Sequence, residues 1–179
     1  ISPLSTELPI NTIGFTLYSD TGDFNIAAPS GLYANLQDKE PIDVHESINN
    51  EIVYIGRFYL DDWESISEKL ASFRASDAMT ILESISFLGG RYKSPTVYSE
   101  DLIAEIFENT GIDYDFDASL NGIVINGLIP YLTNCREALQ QTLFYIGAYA
   151  TCARSKLVRI LPMPITGVSD YELTSAEDR

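Results

Sequence analysis

The sequence predicts an α+β fold, with a β-rich segment over residues 1–92, a small αβαββ unit over residues 93–165 and a polar, acidic tail over residues 166–179. Three observations predict it. Eleven Tyr and eight Phe accompany many β-branched residues, a composition suited to pleated, half-buried surfaces. Apolar residues in the first half recur mainly at period two, whereas two stretches of the second half recur at helical spacing between capping residues. The strongest punctuation, Gly89-Gly90 followed by Ser94-Pro95, places the boundary between these regimes close to residue 93.

Residues 10–18 carry Ile13, Phe15 and Leu17 in alternation and end at Ser19-Asp20-Thr21-Gly22-Asp23, a strand and its turn. A second strand is predicted over Pro41–Ile48. Asn49-Asn50 then joins it to EIVYIGRFYLDDW as a hairpin whose second arm bends or bulges near Gly56. Ala71, Phe73 and Ala75 alternate in a further strand, after which Ser76 or Asp77 can cap a short helix holding Met79, Ile81 and Leu82.

Ser99 precedes EDLIAEIFENTG, with acids in the first turn, Leu102, Ile103, Ile106 and Phe107 on one face and Gly111 as the stop. Residues 122–127 read as a short strand. Thr133 or Asn134 caps a second amphipathic helix with Ala138, Leu139, Leu143 and Ile146, ended by Gly147. AYATCA and KLVRIL form a hairpin around Arg154-Ser155, although that pair is not a favoured two-residue turn. Pro162 and Pro164 stop it, and the tail from Thr166 to Arg179 is expected to be mobile.

Composition excludes several functions. Net charge is -15, from 14 acids against 5 bases in residues 1–92 and 12 against 6 in residues 93–179. Scattered Lys and Arg argue against nucleic acid or an anionic membrane as partner. No run approaches the roughly 18 apolar residues that cross a bilayer, so a soluble chain is expected. Ile1 in place of Met suggests a segment cut from a longer parent. Cys135 and Cys152 have no CxxC spacing and should lie about 18 Å apart along a helix, so free, packed thiols and a reducing compartment are expected.

Candidate chemistry is thin. His45 is the only histidine, lies in a predicted strand and has no GxSxG partner serine, so a triad is not expected. Asp113, Asp115 and Asp117 begin like a calcium loop, but Ala118 stands where glycine is needed and Val124 where glutamate is needed. The plainer reading is a solvated acidic strand edge with Tyr114 and Phe116 on the other face. Asp61, Asp62 and Glu64 beside Trp63 suggest glycosidase carboxylates, yet a strand end with solvated acids and a half-buried tryptophan is the better account, since acids are abundant throughout the chain. GGRYKS (89–94) lacks the Walker spacing and reads as an interdomain turn. No catalytic, cofactor-binding or metal-binding residue is therefore assigned, and no cofactor is expected. Two alternatives stay open: a carbohydrate- or peptide-binding platform around Trp63, and a carboxylate-dependent hydrolase.

Three stretches carry a likeness to a known family: VYIGRFYLDDWES with SFRASDAMTILES, SEDLIAEIFENTG, and CREALQQTLFYIGAYATCARSKLVRILPMP. Together they resemble phage tail and baseplate hub proteins, including the prophage and tailocin versions of Gram-positive bacteria. The likeness spans most of residues 10–165, with Arg136, Ala138, Leu139 and Gly147 as its densest part. It implies a tail-tube-like barrel with an inserted or appended α/β domain and a non-catalytic structural role in the virion tail, with particles assembled in the bacterial cytoplasm. The implied partners are other tail or baseplate proteins and copies of itself, commonly a trimeric ring in the full-length protein, where a second tube-like barrel is usual.

Overall fold

The structure, a computed structural model, describes residues 8–93 and 97–164. Apolar alternation in its first half builds a four-stranded antiparallel sheet from β1 (Thr12–Tyr18), β2 (Pro41–Ile48), β3 (Glu51–Ser67) and β4 (Leu70–Ser76), in the order β1-β4-β3-β2. The 17-residue β3 serves two partners, giving its first half to β2 and its second to β4. The sheet curls as a half-barrel. Asn49 and Asn50 both adopt positive φ, 51° and 66°, as a tight primed turn requires. The expected bulge falls at Ile55, next to Gly56: the register steps from Val44 opposite Gly56 to His45 opposite Tyr54.

Phe15, Phe73 and Trp63 lie in one cross-strand row. Phe15 stacks on Phe73 with ring centroids 5.1 Å apart, and Phe24, Leu60, Ala71 and Phe73 form a small core under that face. Segment 19–39 folds over this core and adds Phe24, Tyr33 and Leu36 to it.

The second half packs around helices. Asp77 caps α1 (Ala78–Ser84) by accepting from Met79 N, α2 spans Ser99–Phe107, and α3 (Cys135–Ile146) is capped by Asn134 and closed by Gly147 at φ 67°. Residues 86–92 and 127–134 run antiparallel as a narrow ribbon, in which β5 (Ser86–Phe87) pairs with β9 (Thr133–Asn134) and β6 (Arg91–Tyr92) with β8 (Gly127–Leu128). A three-stranded sheet, β10-β11-β7, joins β7 (Tyr114–Phe116), β10 (Ala148–Thr151) and β11 (Val158–Pro162). The larger core gathers Leu82, Leu102, Ile103, Ile106, Leu139 and Ile160. Ala78, Met79, Leu82 and Phe87 belong to it, although they precede the boundary expected near residue 93.

The αβαββ order is met, with a different strand in its second place. Residues 122–127 make only a single bridge, Tyr98 to Val124, plus the start of β8. The segment is pinned instead to the start of α2: Ser99 Oγ donates to Leu120 O at 2.6 Å and Gly122 N donates to Glu100 Oε2 at 2.9 Å. These side-chain bonds take the place of a ladder. Ser99, fully buried by this role, is the first helical residue, and Tyr98 is the cap position. The AYATCA–KLVRIL hairpin forms, but through six residues, 152–157, rather than two. Its loop is long because it docks elsewhere, with Arg154 N donating to Ile55 O at 2.9 Å. GGRYKS is extended and paired up to Tyr92, not a turn, and its Ser94 lies outside the described residues, as does the expected mobile tail.

Candidate functional site

The two edges of the four-stranded sheet differ in kind. β2 opens on Pro41 and carries Asp43 and Glu46, devices that discourage further strand pairing. β1 has none of them. Its sequence, TIGFTLY, contains no charge and no proline, and it pairs with β4 over all seven residues without a register shift. Thr12, Gly14, Thr16, Leu17 and Tyr18 are exposed, and Ile13, Phe15 and Leu17 continue the apolar row of the sheet. Beside them a cleft of about 280 Å³ is lined by Leu17, Phe24, Leu32, Tyr33, Leu36 and Phe73. An uncharged, regular outer strand of this length is a template for another β-strand.

The acidic candidates are not brought together. Strand alternation sends Asp62 and Glu64 to the face opposite Trp63, which packs half-buried against the small core. The carboxylates therefore do not flank the tryptophan. Asp61 is committed to structure, accepting from Lys39 Nζ at 2.6 Å and from the Ser76 hydroxyl. Asp113 and Asp115 are exposed at β7, the edge strand of the small sheet, while Tyr114 and Phe116 pack on the larger core, as the plainer reading expected. Asp117 instead caps a 3-10 turn by accepting from Ser119 N at 2.8 Å. Among the described residues no group of three or more His, Cys, Asp or Glu is arranged to hold a metal ion. His45 is exposed on β2 with its ring edge-on to Tyr54, 5.1 Å between centroids. Cys135 and Cys152 are free and buried; burial, aided by the charge of Asp77, pushes the Cys152 thiol up to about 12.

One cluster escaped the sequence reading. Asp43 accepts from Arg57 Nε at 2.9 Å, Arg57 Nη2 at 3.1 Å and Tyr54 OH at 3.1 Å, and pairs with Lys156 Nζ at 3.0 Å. The Arg57 guanidinium, then Lys156, hold its carboxyl well below the usual range. Burial and the Asp43 bond raise the Tyr54 hydroxyl to about 12. Lys156 comes from the 152–157 loop, so the cluster ties the small α/β region to the hairpin. A regular hairpin about Asn49-Asn50 would set Asp43 opposite Gly56; the bulge moves it to Arg57, which is why the pair was not legible.

Two solved structures share the overall fold of this chain. The 43 kDa tail protein of prophage MuSo2 from Shewanella oneidensis superposes with a TM-score of 0.52 at 15% identity, over 86% of this chain and 46% of its own. Prophage tail protein gp18 from Listeria monocytogenes EGD-e superposes with a TM-score of 0.50 at 13% identity, over 87% of this chain and 42% of its own. The fold is that of prophage tail proteins. The chain spans less than half the length of either structure. No family model and no curated protein matches its sequence. In this tail-protein fold the feature with the plainest capacity for contact is the open β1 edge, since the acids are solvated or internally paired.

Proposed function

We propose that the chain is a non-catalytic structural part of a phage-like tail, in its baseplate hub, located in the virion tail after assembly in the bacterial cytoplasm. Its partners are copies of itself and other tail or baseplate proteins, with a trimer in the longer protein as the family resemblance implies. One observation carries the reading: a curled sheet of tail-protein fold has a seven-residue, uncharged strand at one edge whose outer side nothing among the described residues pairs with, while its other edge is protected. The packing also favours dividing the chain at Asp77, where the strands end and the helical core begins.

The test is to place a charge on that edge. Thr16→Lys, at an exposed position, should leave the folded chain's melting temperature unchanged and prevent the full-length protein from forming rings, as read by light scattering and negative-stain microscopy. A full-length protein that is monomeric, or whose assembly ignores the lysine, would remove the support for this role.

A further inference from the structure

The ribbon of residues 86–92 and 127–134 has an unusual surface. Leu128, Tyr131 and Leu132 are 70%, 69% and 75% exposed, and Leu88 stands beside them at 59%. Leu132 also sits at φ 63°, a left-handed conformation that leucine rarely adopts and that holds this apolar side chain in solvent. Residues 85–93 and 118–136 contain no Asp or Glu, in a chain that carries 26, and they include Arg91, opposite Leu128 in the ribbon, Lys93 and Arg136. Glu105 lies near Tyr92, Thr133 donates to Glu137 and Arg136 is paired with Glu83, so the charge that the ribbon itself presents is that of Arg91, and an apolar patch carrying a cation on so acidic a chain marks a contact surface.

A surface with the complementary pattern lies at the tip of the β2–β3 hairpin. Ile48 and Ile52 are exposed there, at 49% and 75%, and Glu46 and Glu51 flank them. Apolar centre and charge sign both match the ribbon. We infer that the ribbon of one copy receives the β2–β3 hairpin tip of a second copy, with Arg91 facing the hairpin glutamates and Leu128, Tyr131 and Leu132 covering the two isoleucines. The contact is heterologous, since the two surfaces lie at different places in the fold and can join copies head to tail. This inference rests on the assembly role above but uses a surface other than the β1 edge.

Sedimentation velocity of the 179-residue chain, followed to about 1 mM, tests it. Association should rise with concentration. Arg91→Glu, Leu132→Gly and Glu51→Lys should each weaken it roughly tenfold without changing the circular dichroism, because all three positions are exposed. An equimolar mixture of Arg91→Glu and Glu51→Lys chains should recover hetero-association, as the altered charges then meet each other. Thr16→Lys should leave this association intact, so loss there alone would point to the β1 edge. The inference is overturned if the parent chain stays monomeric, if the hairpin variant associates like the parent, or if the mixture does not recover. Sedimentation of a monomeric chain with anionic phospholipid vesicles, abolished by Leu132→Gly, would likewise overturn it in favour of a lipid surface.

Discussion

Removing the Asp77 side chain should cost the fold about 2–3 kcal/mol. The residue is only 2% exposed and ties the start of α1 to the segment leading into β1. One carboxylate oxygen accepts from Met79 N at 3.1 Å to cap α1, and the other accepts from Asn11 N at 3.1 Å and Asn11 Nδ2 at 2.6 Å, just before β1. Loss of a cap costs about 1 kcal/mol. Each lost bond to Asn11 adds about 1 kcal/mol, at the low end because Asn11 is exposed and water can replace the acceptor. Against this, burial penalises the ionised carboxyl and raises its pKa, so Asp77→Ala relieves part of a strain. Asp77→Asn keeps the shape and one acceptor but turns an amide NH2 toward donors, and should lose about 1 kcal/mol. The pH dependence has a definite sign. A carboxyl whose folded pKa is raised gives its full stabilisation below the unfolded value, and that stabilisation fades as pH rises through the folded value. Wild type should therefore exceed Asp77→Asn by more at about pH 3 than at about pH 7. Urea unfolding of the three proteins measures this. An Asp77→Ala loss under about 0.5 kcal/mol, or an Asn deficit that grows with pH, would refute the assigned bonding and burial.

Gly89→Ala should destabilise by roughly 1–3 kcal/mol in the same assay, because a Cβ there would stand 2.3 Å from Pro130 O and 2.6 Å from Ile129 O, both rigid backbone; an unchanged midpoint would contradict the ribbon's close crossing. Acid should weaken the fold: Asp43, Asp23, Asp117 and Glu100 are all held below their ordinary values by donors, chiefly Arg57, Ser19, Ser119 and the Gly122 amide respectively, so their contributions are present above the unfolded values and fade as pH falls through the folded ones. Calorimetry should show the melting temperature falling below about pH 5, less steeply for Asp43→Asn, and parallel curves for the two proteins would count against the Asp43 cluster. Ellman's reagent at neutral pH should label neither Cys135 nor Cys152 in the native protein and both in denaturant, because burial raises both thiols; native labelling of Cys152 would contradict its place in the core.

What the sequence revealed tracks the range of the forces involved. Local signals were legible: alternation along Ile13, Phe15 and Leu17, the Asn49-Asn50 turn, the caps at Asp77 and Asn134, the stop at Gly147 and the mixed α+β class. The misses share one cause, partners distant in sequence. Residues 122–127 look like a strand until Glu100 and Ser99 claim their backbone, and Arg154-Ser155 looks like a poor tight turn because it is the middle of a loop reaching for Ile55. Beside Trp63 the pleat puts Asp62 and Glu64 on the face away from the ring, in keeping with a strand end bearing solvated acids.

The same distinction bears on where contact chemistry resides in a chain with so little catalytic signal. β1 could be identified as a strand by its period, but its openness depends on sheet order, since β4 rather than β2 is its neighbour and nothing among the described residues pairs with its outer side. Had β2 also paired with the outer side of β1, closing the sheet, the uncharged strand would have been interior and its lack of charge unremarkable. Because it is the outer strand, the absence of lysine, proline or bulge leaves its backbone groups available, while the protected β2 edge limits pairing to one side. One open and one guarded edge gives the sheet a direction of growth, which is what the proposed assembly role requires.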